Sequence, residues 1–336
     1  MVTMMKRFMA SIVGLAVGDA LGYPAEFRTR QKIMDTFPPN GLVDFVGIQD
    51  PRWTPPPYIL GNDYPPGTYT DDTQMSLCVA QALLETGHAD VETIMQYLSH
   101  LFVEWSLSPS NDRAPGGTCM TGCENLQRGI PWHQAGVARS KGCGSAMRVA
   151  PIGLFYCKDK IKLLEVARAS SLLTHGHDAA IEGAAASALL VAMALEGHTP
   201  QAMYQAIMET CAPHSNDFRT CLEKLPGLLS EPPHIALSKQ GLGEAWVAEE
   251  AVASALYCFW KHPDDFAAAV LMGANTDGDS DTIACITGSI TGAALGLDAI
   301  PSHWRQQVED SQYLHKMGQK LWEQATLPFP ADTFWE

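Results

Sequence analysis

The chain has 336 residues, 46% hydrophobic and 18% charged, which is enough apolar material for a sizeable core and excludes a disordered chain. Its net charge of −15 sets nucleic acid and anionic membrane surfaces aside as partners, so any anionic ligand must find local donors. Nine cysteines, with no Cys-x-x-Cys pair, read as reduced thiols in a cytoplasmic protein and not as a disulfide framework or a zinc site.

Near the N-terminus, Lys6 and Arg7 precede an apolar run, residues 8–17, that superficially resembles a signal peptide. Gly18-Asp19-Ala20-Leu21-Gly22 and Glu26 follow at once, which favours a buried first helix. No stretch is expected to be long and clean enough to cross a membrane. Gly41-Leu42-Val43-Asp44-Phe45-Val46 is the best strand candidate in a chain with few of them. Residues 50–69 carry Pro51, Pro55, Pro56, Pro57, Pro65 and Pro66 among Trp53, Tyr58 and Tyr64, so this segment is an extended loop whose aromatics read as anchors.

Helical periodicity then dominates. Helices are predicted over 73–86, stopped by Gly87, and over 91–106, where Ile94, Leu98, Leu101, Phe102 and Trp105 share one face. Gly- and Pro-rich loops occupy 107–118 and 136–145. Further helices are predicted over 178–196, 245–262 and 282–296. The last is small and apolar (Ala284, Gly288, Gly292), suiting close approach of neighbouring backbones. No linker or solenoid repeat interrupts the pattern, which predicts an all-α chain forming a single domain over 1–336.

Two acidic clusters stand out, Thr70-Asp71-Asp72-Thr73 and Asp277-Gly278-Asp279-Ser280-Asp281-Thr282, each between a loop and an apolar helix. Asp and Thr are ordinary helix caps, and carboxylates suit a helix N-terminus. A cap needs only one side chain, however, and crowded carboxylates repel unless solvated or neutralised by a cation. If the clusters converge, their hard oxygen ligands suit magnesium, manganese or calcium, and adjacent acids can reach two ions. Two Gly-rich segments, Gly116-Gly117-Thr118 and Gly142-Cys143-Gly144-Ser145, either present backbone N–H groups to an anion or form tight turns before helices. His175 and His177 lack a third soft ligand nearby, so they read as hydrogen-bonded histidines and not as zinc ligands. Arg148 either faces a phosphate or forms a buried ion pair, and the structural role is favoured.

The ordered set Gly18–Gly22 with Glu26, Tyr69-Thr70-Asp71-Asp72-Thr73, Gly144-Ser145-Ala146-Met147-Arg148-Val149-Ala150-Pro151, Thr174-His175 and Gly278-Asp279-Ser280-Asp281-Thr282 resembles the ADP-ribosylglycohydrolase family, which includes the dinitrogenase reductase activating glycohydrolases. The resemblance covers about residues 8–300. It implies an orthogonal multi-helix bundle with a central binuclear site holding two magnesium ions, manganese being the alternative. Metal ligation falls to Thr70, Asp71, Asp72, Asp279, Asp281 and Thr282, and Glu26 is placed beside the metals.

The implied activity is hydrolysis of the glycosidic bond that joins ADP-ribose to a modified protein, with Asp71, Asp72, Asp281 and Glu26 catalytic. Gly116, Gly117, Gly142, Cys143, Gly144, Ser145 and His175 are expected to bind the substrate. Many relatives carry Asn-Gly where this chain has Cys143-Gly144, which leaves the backbone contact but not the side-chain one. Ser280 and the likeness to the dinitrogenase reductase group favour arginine-linked ADP-ribose, with serine-linked or small conjugates as the alternative. Asp112 does not align with an acid some relatives carry, and no role is assigned to it. Residues 200–245 are the least family-like part and are expected to shape target choice. A different two-metal phosphoesterase and a non-catalytic binding protein are the competing readings.

Overall fold

The apolar run that begins at Phe8 belongs to one continuous helix, α1 (Met4–Gly22), in the computed structural model, which describes residues 2–52 and 64–326. Thr3 caps it, its hydroxyl accepting from the Lys6 N–H, and every residue from Ala10 to Gly22 is buried. Trp53 and Tyr58 lie outside the described residues.

Five further long helices follow the predicted spans closely: α2 (Asp71–Thr86), α3 (Val91–Ser106), α5 (Asp178–Glu196), α6 (Ala248–Lys261) and α7 (Ser280–Leu295). The helices α4 (Gly117–Gln127) and α8 (Ser311–Ala325), with Lys160–Leu172 and Pro200–Thr210, were not predicted. The differences fall at the starts. α2 and α7 each begin two residues earlier than periodicity suggests, because the acidic cluster itself forms the first turn. α6 begins later, after a turn in which Ala245 has a φ of +64°.

α1 and α7 cross at the centre of the molecule, and small residues set how closely. A Cβ on Gly18 would lie 2.0 Å from the Ala284 carbonyl oxygen, and one on Gly22 would lie 2.4 Å from the Asp281 Cα. Such distances leave no room for a side chain, so the crossing holds only with glycine there. One consequence is chemical: Asp19 on α1 and Asp281 on α7 come close enough for their charges to interact. One hydrophobic cluster runs from Phe8 in α1 to Leu321 in α8.

Two sequence expectations need correction. Residues 41–46 form no strand, and among the described residues only isolated bridges such as Arg28–Gly278 occur. The backbone of Leu42 finds its partners in a side chain: the Asn275 amide accepts from the Leu42 N–H at 2.7 Å and donates to its carbonyl at 2.9 Å. Those bonds satisfy the groups a neighbouring strand would otherwise supply. The expectation on membrane-length segments also fails. Met4–Ala25 and Asp178–Glu196 are both long and apolar enough by length and composition, although 94% and 89% of their apolar windows are buried in the protein. In both, the uninterrupted apolar character comes from burial on all sides of a core helix.

Candidate active site

The first acidic cluster is built around an acid from another helix. Asp19 is fully buried and accepts from the Thr70 and Thr73 N–H groups, each at 3.0 Å, and from their hydroxyls at 2.9 and 2.6 Å. Burial raises Asp19 to about 6, and these hydrogen bonds pull the other way. Asp19 thus fixes the first turn of α2 from a position 51 residues earlier in the chain. Thr70 is the N-cap: its hydroxyl accepts from the Asp72 N–H at 3.3 Å while donating to Asp19. The turn leaves Asp71 and Asp72 directed at a cavity of about 280 Å³.

The second cluster closes the opposite wall. Asp279 caps α7, one oxygen accepting from the Thr282 N–H at 3.3 Å and the other from the Cys143 thiol at 2.9 Å. Gly278, at a φ of +80°, makes the tight turn before it. Asp277 is turned away and accepts at 2.7 Å from the N–H of Arg30, the first residue of the short helix Arg30–Thr36 that Thr29 caps. The same turn draws in the segment after α1, since the Phe27 N–H donates to the Gly278 carbonyl at 3.0 Å. Glu26 therefore lines the cavity with Asp71, Asp72, Asp279, Asp281 and Thr282. The two clusters, far apart in the chain, face one another.

Their electrostatics are unfavourable as they stand. Burial raises Asp71 to about 8 and lifts Glu26, Asp72 and Asp281 well above the usual carboxylate range, and the neighbouring carboxylates add to each rise. Among the described residues, no Lys, Arg or His forms an ion pair with any of these acids. Glu26 Oε2, Asp72 Oδ2 and Asp281 Oδ1 are buried without a hydrogen-bond partner. Unpaired buried carboxylate oxygens cost several kcal/mol each in order of magnitude, so the cluster calls for a cation. The donors available are carboxylate and hydroxyl oxygens, which suit a hard divalent ion. No group of three or more His, Cys, Asp or Glu side chains among the described residues is already drawn into ligand geometry. The donor chemistry fits a divalent ion, although these side chains do not stand in ligand geometry.

The remaining walls match the sequence expectations in part. Gly116, Gly117, Gly142, Cys143, Gly144 and His175 all line the cavity. The Gly116 N–H, expected to meet an anionic ligand, instead donates to Asp71 Oδ2 at 3.1 Å. Ser145 does not reach the cavity with its side chain: its hydroxyl donates to the Ala180 carbonyl at 3.0 Å and is fully buried. Thr70 is likewise absent from the walls because its hydroxyl faces Asp19. Ser280 donates to the Gly22 carbonyl at 3.3 Å across the α1–α7 crossing, so it offers no ground for a linkage preference. Asp112 accepts from the Tyr64 hydroxyl, and His177 caps α5 by accepting from the Ala179 N–H at 3.1 Å.

Arg148 is structural, as expected, but forms no ion pair. It donates to the Ser170 carbonyl and the Thr174 hydroxyl, each at 2.8 Å, and lies over the Phe102 ring. Thr174 Oγ1 in turn pairs with His175 Nδ1 at 2.8 Å, which orients the imidazole towards Gly142 and Gly144.

Burial, with the Arg148 charge behind it, depresses His175 to about 3. The ring is therefore neutral in the folded protein at pH values where an unfolded histidine takes up a proton. As pH falls from about 6.5 towards 3, protonation favours the unfolded chain, and stability drops by up to about 1.4 kcal/mol per pH unit. The expected result is that His175→Gln loses this component, so the difference in unfolding free energy between wild type and variant is flat above about pH 6.5 and slopes below it. Denaturant titrations at a series of pH values measure it. Parallel profiles down to pH 4 would refute the assignment.

Sequence reasoning missed an aromatic pair at the mouth. Phe27 and Trp246 stack with ring centroids 4.8 Å apart and an interplanar angle of 26°, and both line the cavity. Phe27 has a φ of +59°. Glu250 holds the turn before Trp246, accepting from the Glu244 and Ala245 N–H groups at 3.0 Å each. An exposed aromatic directly after Glu26 was the one signal in the sequence, and it has no periodic pattern to mark it.

The whole arrangement has counterparts among known proteins. The profile of the ADP-ribosylglycohydrolase family matches residues 2–330. A protein of Archaeoglobus fulgidus without an assigned function is 32% identical over 320 residues, 95% of this chain and 97% of that one. The protein of Pseudomonas putida named ADP-ribosylarginine hydrolase Tri1 is 26% identical, across 95% of this chain and 78% of its own length. A solved structure described as an ADP-ribosylglycohydrolase-related protein complex superposes with a TM-score of 0.74 at 27% identity, covering 96% of this chain and 99% of that one.

Proposed function

The chain belongs to the ADP-ribosylglycohydrolase family, and on that premise we propose that it removes ADP-ribose from modified protein side chains, with arginine as the linkage. The observation that carries this reading is the facing pair of acidic turns with unpartnered oxygens on Glu26, Asp72 and Asp281 inside one cavity.

Asp71, Asp72, Asp279, Asp281 and Thr282 would hold two magnesium ions, or manganese in their place. Thr70 would add the lone pair left over from its bonds to Asp19 and Asp72. Bound there, the pair would neutralise the cluster, bind ribose hydroxyls and acidify water. In the reaction the oxygen of water adds to the anomeric carbon, the glycosidic bond breaks, and the departing guanidine nitrogen keeps the electron pair and gains a proton. The proton lost by water goes to a carboxylate oxygen of Asp71, Asp72 or Asp281, which passes it on to the departing nitrogen. The same carboxylates favour the positive charge that develops on the sugar ring. Glu26, on the segment beside the mouth, controls access. Gly142, Cys143 and Gly144 offer backbone contacts to the diphosphate, and neutral His175 adds a ring nitrogen near them.

Two points support arginine. The Pseudomonas relative is named for that linkage. The stacked Phe27–Trp246 pair also gives a planar guanidinium an aromatic face at the cavity mouth. The test is to incubate the protein with arginine-linked and serine-linked ADP-ribosyl peptides, with and without magnesium. Magnesium-dependent release of ADP-ribose from the arginine peptide is the expected result. Release from the serine peptide alone would reassign the linkage, and release of AMP or phosphate would overturn the glycosidase reading.

A further inference from the structure

The cavity has a soft side. Cys143 Sγ lies 2.9 Å from Asp279 Oδ2 and 3.9 Å from Thr282 Oγ1, two of the oxygens assigned above to the metal centre. Met147 Sδ stands 4.0 Å from the same Thr282 oxygen, and both sulfur residues line the cavity. Asp72 Oδ2 and Asp281 Oδ1 are unpartnered in residues only 3% exposed, and they belong to the same walls. A thiol hydrogen-bonded to a carboxylate in this position has a ready alternative. Once a cation sits on Asp279, the sulfur stands within reach of it and can exchange its proton for a metal bond. Thiolate and thioether donors select soft or borderline ions over magnesium, which prefers oxygen throughout.

We propose that Cys143 makes this centre a binding site for thiophilic divalent cations of the zinc and cadmium class, which bond directly to its sulfur and displace magnesium. The inference rests on the two-metal reading of the site. In the exchange, the Cys143 S–H bond breaks, its proton passes to solvent, a sulfur–metal bond forms, and magnesium leaves hydrated. No oxidation state changes. The consequence is a chain whose metal selectivity depends on one side chain next to the ligand set.

The full-length protein, stripped with chelator and dialysed, would be titrated with Co²⁺ as a spectroscopic probe and with Cd²⁺ and Mg²⁺ by equilibrium dialysis, alongside Cys143→Ser and Cys143→Asn. A cysteine that only donates a hydrogen bond to Asp279 is replaced by serine without loss, so the serine variant separates hydrogen bonding from ligation. Wild type is expected to give a saturable near-ultraviolet sulfur-to-cobalt charge-transfer absorption. Both variants should bind Co²⁺ without it. Their Cd²⁺ affinity should fall on the order of tenfold or more, while Mg²⁺ affinity changes far less. Circular dichroism checks that the variants fold, and either one suffices. Cobalt binding by wild type without the absorption, or an absorption that persists in the variants, overturns the role of Cys143 and leaves the metal reading standing. Failure of wild type to retain any cation in dialysis overturns both.

Discussion

Asp71→Asn and Asp281→Asn are each expected to lower ADP-ribose release by about 10²- to 10³-fold or more, the scale of removing one preorganised electrostatic contact at an active site. In chelator, the same variants are expected to melt no lower than wild type. The two outcomes follow from one fact. Each residue is a buried acid whose charged form is opposed by desolvation and by neighbouring carboxylates, with no basic side chain among the described residues paired to it. Replacing one carboxylate by an amide of the same shape keeps the packing and removes a repulsive charge, so the metal-free fold is relieved. The reaction loses a ligand and a proton acceptor. Sites that trade stability for activity behave in this way. Activity assays with an arginine-linked substrate, paired with thermal melts in chelator, measure both sides. Near-normal turnover in both variants would end the catalytic assignment. A large drop in melting temperature with turnover unchanged would recast the acids as structural.

Withdrawing divalent cations is expected to have the second large effect. With magnesium at about 100 times its dissociation constant, binding to the folded state alone contributes about 2.7 kcal/mol. Unfolding entropy grows with length, so for a chain of 336 residues that corresponds to roughly 4 °C in melting temperature for each bound ion. Chelator should therefore lower the melting point by about that amount and abolish ADP-ribose release, and added magnesium should restore both. The physical source is the set of oxygens on Glu26, Asp72 and Asp281 that have no partner within the protein. A melting curve indifferent to chelator and to added magnesium would mean that these oxygens take no cation.

Much of this site was readable as local chemistry. Asp71, Asp72, Asp279 and Asp281 were marked because each cluster holds more carboxylate than helix capping requires, and each sits where a loop meets an apolar helix. Glu26 has no such mark and was reached only through the resemblance. Asp19 carries no local signal for its task, since the bonds it makes belong to Thr70 and Thr73 and arise when α1 passes behind α2. Ser145 and Ser280 show the opposite error. Both sit inside motifs, yet their hydroxyls satisfy backbone carbonyls of Ala180 and Gly22 and never reach the cavity. Which way a small polar side chain turns depends on the carbonyl nearest to it in space, and that carbonyl belongs to another element.

The helices that were read, the first one and the spans at 73–86, 91–106, 178–196, 245–262 and 282–296, were legible because their information is short-range: apolar spacing, caps and stop signals act within a few turns. The strand expected at 41–46 failed for the complementary reason, since a strand needs a distant partner and Leu42 found the Asn275 amide instead. Apolar content, acidic turns and glycine placement were set in the primary chain. The meeting of those turns across one cavity, the anchoring by Asp19 and the aromatic pair of Phe27 with Trp246 come from the close crossing of α1 and α7 and the turns packed around it. Contacts between residues far apart in the chain are chosen by how whole surfaces fit, and no local pattern encodes that fit.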